Sequence, residues 1–320
     1  MLPKRRSRRY LTGNKNRFEK RLEKHIKEKN GVDRLADPVF LLSERNITMR
    51  KAVFFDIDGT LWDKHMNISE STKEALRMLR ENGHYAFICS GRSRANIRSP
   101  KLLELGFDGV IASCGAHIDF HKETEYEVLW SEEQVTHALE VLKKHQTPAV
   151  LEGPGYIYVN TGDFAEDPYV VFLRKELGQY VRDIPEDHSD IIINKMSFVS
   201  EKIDVEQLVA DMGEGFDVIV HDEGIVEMNL AGITKATGIQ KVCEMLAIAH
   251  ENTYAFGDSA NDLEMLSYVA HSVAMGNGTD EVKRTAEFVT TGVNEDGIYN
   301  GLLHYGLITD SKKSIKSEKK

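Results

Sequence analysis

Cysteine is scarce in this chain of 320 residues, and the few cysteines are far apart. They are Cys89, Cys114 and Cys243, and no two of them form a CxxC pair. This count and spacing exclude a disulfide framework and a cysteine-based zinc site, because both need clustered cysteines. We therefore expect a protein that works in a reducing compartment, and we predict a cytoplasmic location.

Long apolar runs are also missing. No stretch approaches the ~18 consecutive apolar residues of a membrane-spanning helix. The N-terminal region lacks the apolar core and cleavage site of a secretory signal, and the histidines show no HExxH or other ligand spacing. The sequence thus argues against a membrane partner and against a metal held by histidines. Its 41% apolar and 29% charged residues are typical of a soluble globular protein, and its length suits two domains.

The net charge of −10 is unevenly distributed along the chain. Residues 1–48 carry 14 Lys and Arg against 6 Asp and Glu, and the stretch "PKRRSRRY" is compatible with a nucleic-acid or membrane-surface arm. This segment is low in apolar residues and has no motif. We therefore favour a disordered extension, or sequence upstream of a start at Met49, over a nucleic-acid partner. Residues 309–320 are predicted to form a second disordered tail.

Between these tails, short apolar segments alternate with helix-like segments. "KAVFFDI", "YAFICS", "GVIASCG", "NTYAFGD" and "HSVAM" have the length and composition of buried strands, and amphipathic stretches such as "SESTKEALRMLRENG" separate them. Strands that alternate with helices indicate a parallel sheet covered on both faces. We therefore predict an α/β fold with a Rossmann-like core of three layers.

One long interval, residues 116–231, follows a different pattern. "EYEVLW", "YIYVN", "NKMSFVS" and "FDVIVHDEGIVEMN" alternate apolar and polar residues, as half-exposed strands do. We predict that this interval is an inserted α+β cap domain. Residues 49–115 and 232–308 would together form the discontinuous core.

Two carboxylates end the first buried segment, because "KAVFFDIDGT" places Asp56 and Asp58 one residue apart. Like charges this close raise the cost of ionising each other. Ligands of parallel sheets bind beyond the carboxyl ends of the strands, so polar residues that follow other strands should meet this pair. Such residues stand in "CSGR", in "TKA" ahead of a helix, and in "GDSAND".

The residues expected at this edge suit a metal ion and a phosphate. Carboxylates from two strands would form a hard oxygen site for Mg²⁺. Ser90, Lys235 and the main-chain N–H groups of the "DGT" and "SGR" turns would hold a phosphate on the other side. The metal and the lysine would offset the repulsion between Asp56 and Asp58.

Four motifs in this order resemble the haloacid dehalogenase (HAD) superfamily: "DIDGT", "SGR", a lysine before a helix, and "GDSAND". The insert, together with "GDSANDLEM", "VAMGNG" and "VTTGVNEDGI", resembles the Cof-type sugar-phosphatase branch. Each motif alone has an ordinary explanation as a turn, a helix cap or a solvated lysine, but the four in order are highly specific. The chain departs from the branch at Cys114-Gly115, where asparagine-glycine is usual.

The resemblance implies a role for each motif residue. Asp56 would be the nucleophile that forms an aspartyl-phosphate, and Asp58 would be the general acid and base. The metal ligands would be Asp56, Asp258 and the main-chain carbonyl of Asp58, with Asp262 orienting its neighbours. The phosphate would be bound by Ser90, Gly91, Lys235 and Asn261.

We therefore predict a Mg²⁺-dependent phosphatase that hydrolyses small phosphorylated metabolites such as sugar phosphates. Two alternatives stay open, a phosphomutase of the phosphomannomutase type and a sugar-phosphate-binding protein without turnover. We expect the cap to select the substrate, with Glu152, Glu227 and Asn229 as candidates for contacts to sugar hydroxyls. The oligomeric state is not predicted.

Overall fold

The structure, a computed structural model, describes residues 50–310 except positions 161, 163, 189, 202, 222 and 223. The predicted N-terminal extension, and the predicted C-terminal tail from residue 311 onward, lie outside the described residues. In the part described, no helix is long and apolar enough to cross a membrane.

Fourteen strands and nine α-helices make up the described part. The strands are β1 (Ala52–Phe55), β2 (Tyr85–Cys89), β3 (Gly109–Ala112), β4 (His117–Phe120), β5 (Glu123–Glu127), β6 (Val150–Glu152), β7 (Ile157–Val159), β8 (Val181–Asp183), β9 (Lys195–Val199), β10 (Phe216–Val220), β11 (Ile225–Leu230), β12 (Thr253–Gly257), β13 (His271–Ala274) and β14 (Phe288–Val289). The helices are α1 (Glu70–Glu81), α2 (Pro100–Leu103), α3 (Glu132–Lys144), α4 (Pro168–Leu177), α5 (Val205–Met212), α6 (Lys235–Leu246), α7 (Leu263–Tyr268), α8 (Asp280–Thr285) and α9 (Gly297–His304).

The larger sheet has eight strands in the order β14-β13-β12-β1-β2-β3-β4-β5. Its first six strands are mutually parallel, and β4 and β5 are antiparallel additions at one side. β1 is apolar and buried along its whole length, as expected for a central parallel strand covered on both faces. The predicted α/β fold with a parallel sheet is confirmed.

Helices cover both faces of the larger sheet and make it the middle of three layers. On one face, α1 and α9 pack against Val53 and Phe55 of β1. On the other face, α6, α7 and α8 pack against Ala52 and Phe54. α1 begins at a serine signal visible in the sequence, because the side chain of Ser69 accepts the N–H of Thr72.

The smaller sheet has six strands in the order β10-β11-β9-β6-β7-β8. Its alternating strands give it an apolar face and a second face, here called the polar face, which also carries an apolar cluster of Val150, Ile157 and Val159 packed against α4. Helices α3 and α5 pack on the apolar face, which includes Leu151, Met196 and Met228. The polar face is formed by neighbouring strands in register and turns toward the larger sheet; it carries Glu152, Lys195, Ser197, Glu227 and Asn229.

The start of the insert differs from the predicted boundary at residue 116. β4 pairs with β3, and β5 pairs with β4, so both strands belong to the larger sheet. The physical reason is burial: all four residues of β4 are buried, and β4 covers the edge of β3 that would otherwise be unpaired. The smaller sheet and its helices begin after Trp130, with α3.

Candidate functional site

The candidate site lies at one edge of the larger sheet. Asp56 follows β1, Ser90 follows β2 and Asp258 follows β12, and these three strands are adjacent and parallel. Lys235, the first residue of α6, reaches the same edge and contacts Asp56. The structure thus brings the four sequence motifs together.

Lys235 is the cation at the centre of this site. Its side chain is fully buried, and its Nζ donates to Oδ1 of Asp56 at 2.7 Å, to Oδ1 of Asp262 at 2.6 Å and to Oδ1 of Asn261 at 3.2 Å. These contacts use all three N–H donors of the ammonium group. Burial alone would lower the pKa of Lys235, but Asp262 and Asp56 raise it well above its usual value. The lysine is therefore charged.

Asp262 is fully buried and organises the site from behind. Its Oδ1 accepts from Lys235, and its Oδ2 accepts the backbone N–H groups of Asp258 at 2.9 Å and Ser259 at 3.1 Å. Both carboxylate oxygens are therefore engaged, and the turn that carries Asp258 is fixed relative to the lysine.

Three carboxyl groups crowd around this lysine. Oxygen atoms of Asp56, Asp258 and Asp262 lie within 4.8 Å of one another. Burial raises the pKa of Asp56, with the neighbouring carboxylates adding to this effect and Lys235 opposing it. Burial and Asp262 raise the pKa of Asp258 to about 7. One lysine does not balance three carboxylates, so the cluster is short of positive charge.

Close packing around Asp258 explains the glycine of the "DGT" motif. Gly59 has φ of +79°, and a Cβ added to it would lie 2.2 Å from Oδ2 of Asp258. The carbonyl of Gly59 accepts a hydrogen bond from Asn277 at 2.8 Å. A larger residue would be strained in this left-handed conformation and would displace the carboxylate.

Asp58 faces a different environment from Asp56, and its side chain is 54% exposed. Arg92 donates to it twice, from Nε to Oδ2 at 2.7 Å and from Nη2 to Oδ1 at 2.8 Å, and Trp62 Nε1 donates at 2.9 Å. Burial would raise the pKa of Asp58, but the hydrogen bonds from Arg92 and Trp62 lower it. The pairing of Arg92 with Asp58 was not predicted from the sequence, although Arg92 stands in the "SGR" motif.

Ser90, Gly91 and Asn261 lie side by side at this edge. The Oγ of buried Ser90 accepts the N–H of Arg92 at 3.2 Å, which shapes the "SGR" turn. Asn261 accepts through Oδ1 from Lys235 and Ser259, so its amide nitrogen is free to face the turn. A Cβ added to Gly91 would lie 3.3 Å from that nitrogen. The turn and the amide together form a cradle of N–H donors.

An open cavity of about 790 Å³ joins these groups. The sequence-predicted residues of the larger sheet that line it are Asp56, Asp58, Ser90, Gly91, Asp258 and Asn261. Lys235 and Asp262 are buried behind them. The smaller sheet contributes the opposite wall, where Glu152 and Glu227 line the cavity. Asn229 is buried and is not part of this lining.

Lys195 is a second buried lysine beside the cavity, and it was not predicted as a site residue from the sequence. Its Nζ lies 2.6 Å from Oε1 of Glu227 and 3.6 Å from Oε1 of Glu152, and it donates to the carbonyl of Gly91 at 2.9 Å. Burial would lower the pKa of Lys195, but the two glutamates raise it. Lys195 therefore links the smaller sheet to the "SGR" turn. The sequence feature that could have indicated Lys195 is its polar position in the alternating segment "NKMSFVS".

Comparison with known proteins identifies the family of this chain. A model of haloacid dehalogenase-like hydrolases matches residues 53–302, which is most of the sequence. The chain belongs to this family. The predicted superfamily and the predicted class of enzyme, a phosphoric monoester hydrolase, are thereby confirmed.

Three relatives show how far the similarity extends. YkrA of Bacillus subtilis (strain 168), which is named provisionally as a phosphatase, is 34% identical over 81% of this chain and 98% of its own. The 5-amino-6-(5-phospho-D-ribitylamino)uracil phosphatase YitU of the same organism is 26% identical over 79% of this chain and 96% of its own. The solved structure of a HAD subclass IIB sugar phosphatase is 28% identical, with a TM-score of 0.69, and the match covers 81% of this chain and 100% of that one.

Proposed function

We propose that this protein is a Mg²⁺-dependent phosphatase that hydrolyses sugar phosphates and similar small monoesters through an aspartyl-phosphate on Asp56. The observation that carries this proposal is the pairing of two carboxylates in opposite environments at one cavity. Asp56 is bound to a buried lysine, whereas Asp58 is bound to an arginine at the cavity surface. Pairs of acids whose surroundings push their pKa values apart are typical of nucleophile and acid–base partners.

Asp56 has the position that a nucleophile requires. The hydrogen bond from Lys235 to its Oδ1 fixes the carboxylate, while the residue still lines the cavity. The carboxylate would attack phosphorus, the ester bond to the leaving alcohol would break, and water would later hydrolyse the aspartyl-phosphate. Ser90, Gly91 and Asn261 would bind the phosphoryl oxygens through the cradle of N–H and O–H donors.

Asp58 would give a proton to the leaving alcohol and later take one from the attacking water. Arg92 and Trp62 favour its ionised form, which suits the second of these tasks. For the first task the carboxyl group must carry a proton. Arg92, whose half-buried side chain lines the cavity, would therefore have to move away from Asp58 when a substrate enters.

The carboxylates near Lys235 suit a hard divalent cation. Asp56 and Asp258 offer oxygen ligands at the cavity, and the single lysine beside them does not neutralise their charge. Both oxygens of Asp262 already accept hydrogen bonds. Mg²⁺ prefers such oxygen ligands, and we propose that Asp56, Asp258 and the main-chain carbonyl of Asp58 hold it. When bound, the ion would neutralise part of the charge on the phosphoryl group.

Sugar phosphates are proposed as substrates because of the opposite wall of the cavity. The groups that would touch the phosphoryl moiety cannot distinguish one alcohol from another, so discrimination has to come from the smaller sheet, which would act as the cap. Its polar face supplies carboxylate acceptors suited to hydroxyl groups. The names of the similar sugar phosphatase and ribitylaminouracil phosphatase support polyhydroxylated phosphate esters as the class.

The test is phosphate release from a panel of sugar phosphates and p-nitrophenyl phosphate, with Mg²⁺ and with excess chelator. We expect turnover that needs Mg²⁺ and that Asp56→Asn lowers by several orders of magnitude, since the covalent route depends on this carboxylate. Isomerisation of a sugar phosphate without phosphate release would indicate a mutase instead. Turnover by Asp56→Asn within tenfold of the parent protein, or full activity in chelator, would overturn the proposal.

A further inference from the structure

Glu227 offers the cavity one carboxylate oxygen that the protein leaves almost unused. Its Oε1 is bound by Lys195 at 2.6 Å. Among the described residues, its Oε2 has a hydrogen-bond donor only in the thiol of Cys114, which is weak and lies 3.9 Å away. The Nε2 of His221 is 3.6 Å from the same oxygen, beyond hydrogen-bonding distance. This oxygen can therefore accept a further hydrogen bond from a bound molecule.

This oxygen lies directly beside the cradle proposed for the phosphoryl group. A Cβ added to Gly91 would be 3.1 Å from Oε2 of Glu227 and 3.3 Å from Nδ2 of Asn261. Both atoms therefore lie within 3.3 Å of one point at the "SGR" turn. A phosphoryl group held there would bring the carbon atoms nearest to the ester oxygen alongside Glu227.

A carboxylate so close to a phosphate is tolerable because Lys195 shields it. The ammonium group lies between Glu227 and the carbonyl of Gly91 and contacts both, and Oε1 of Glu152 lies 3.6 Å from it. Burial would raise the pKa of Glu227, but Lys195 and His221 lower it to about 2, so the free oxygen is an ionised acceptor.

We propose that Glu227 is a specificity-determining residue that accepts a hydrogen bond from a hydroxyl group on the carbon next to the phosphate-bearing carbon. The inference rests on the proposed phosphatase function and deepens it. It names the substrate class as monophosphates of vicinal hydroxyl compounds, such as polyol and sugar phosphates, in preference to simple alkyl phosphates. A site built to bind a hydroxyl group discriminates strongly against the analogue that lacks it.

Two small esters isolate this contact. Propane-1,2-diol 1-phosphate and propyl phosphate differ only in the hydroxyl group beside the ester carbon. We expect kcat/KM of the Mg²⁺-supplemented protein to be roughly 10-fold or more higher for the diol ester, the factor expected for a hydrogen bond to a charged acceptor. The measured quantity is the ratio of the two kcat/KM values.

Glu227→Gln removes the charge while nearly preserving shape, and we expect it to reduce this ratio about fivefold or more. Glu227→Asp keeps the charge but withdraws the carboxylate by one methylene, and it should reduce the ratio as well. This variant tests the contact if the glutamine variant does not fold. Glu133→Gln is the matched control, because Glu133 is exposed on α3 away from the cavity lining. Its ratio should equal that of the parent.

The outcomes distinguish a failure of this inference from a failure of the proposed function. A ratio near one in the parent protein, or an unchanged ratio in both Glu227 variants, would overturn this inference while leaving the phosphatase function intact. If neither ester nor p-nitrophenyl phosphate released phosphate, the proposed function would fail, and this inference with it. A high ratio that falls in the Glu227 variants and persists in Glu133→Gln supports the assignment.

Discussion

Lys235→Met tests whether one buried lysine holds the carboxylate cluster together. The substitution keeps the length of the side chain but removes the charge that pairs with Asp56 at 2.7 Å and with Asp262 at 2.6 Å. Breaking a buried ion pair by removing one partner costs about 3–5 kcal/mol, because the remaining charge is left unpaired in the interior. Both partner side chains are almost inaccessible, so water screens them little. We expect the free energy of unfolding to fall by about 3–5 kcal/mol at pH 7.

Lys241→Met is the matched control on the same helix. Lys241 pairs with Glu244 at 3.0 Å, but these side chains are 34% and 55% exposed, so the loss should stay below about 1 kcal/mol. Urea denaturation followed by circular dichroism gives the free energy of unfolding of each protein. Equal, small losses in the two variants would refute the central role of Lys235.

The pH dependence gives this prediction a second test. The pKa of Asp56 is already raised by burial, and it should rise further when the lysine is removed. Folded Lys235→Met then binds a proton that the unfolded chain releases, so falling pH stabilises the folded variant. The loss of unfolding free energy in Lys235→Met, relative to the parent, should therefore become smaller as the pH falls from 7 to 5. A loss that stayed constant over this range would contradict the ion-pair explanation.

Three further changes test other parts of the molecule. Asp58→Asn should slow alkyl phosphates by about 10²–10⁴-fold but p-nitrophenyl phosphate much less, since only the basic alkoxide needs a proton; equal losses would remove Asp58 from acid catalysis. Asp119→Asn should cost about 1.5–3 kcal/mol of unfolding free energy at pH 7. Burial opposes ionisation of Asp119, but His117 and Arg94 lower its pKa, so this cost should begin to shrink once the pH falls below about 4, the pKa in the unfolded chain, and a cost independent of pH would contradict it. Asp258→Asn should stabilise the metal-free protein by about 1–3 kcal/mol at pH 8 and abolish the rise in Tm caused by Mg²⁺; an undiminished rise would exclude Asp258 as a ligand.

The position of the candidate site could be predicted from the sequence because it depends on a general property of parallel sheets. Asp56, Ser90 and Asp258 each follow a short apolar run, and adjacent parallel strands bring such residues to one edge. Lys235 could be placed with them because a helix begins at this residue. The roles of these side chains in turnover remain predictions.

The start of the insert could not be predicted, because β5 and the strands of the smaller sheet share one signal. β5 is partly exposed, as an added antiparallel strand is wherever it pairs. Only the pairing of β4 with β3 shows that this hairpin belongs to the larger sheet. Pairing partners depend on tertiary packing, which hydrophobic periodicity does not encode.

Cross-sheet contacts were equally inaccessible to sequence reasoning. Lys195 and Gly91 are more than one hundred positions apart, and their hydrogen bond exists only because the polar face of the smaller sheet turns toward the "SGR" turn. The bidentate pair of Arg92 and Asp58 likewise depends on how two neighbouring turns pack. A lysine or an arginine in a turn or a half-exposed strand is more often solvated, so the residue type alone does not predict a buried contact.

The charges around the cavity give a physical reason to expect a metal ion there. Acids on both walls have a basic partner within the protein: Asp58 with Arg92, Glu227 with Lys195, and Asp56 with Lys235. Among the residues that the structure describes, Asp258 forms no such ion pair, and its hydrogen bond comes from the neutral Thr60. Because Asp258 lacks a cationic partner and lies within 4.8 Å of Asp56, a divalent ion between the two would supply the missing charge. The expected stabilisation of the metal-free protein by Asp258→Asn follows from the same imbalance. The substitution removes the repulsion between Asp258 and the neighbouring carboxylates, which a bound ion would otherwise offset.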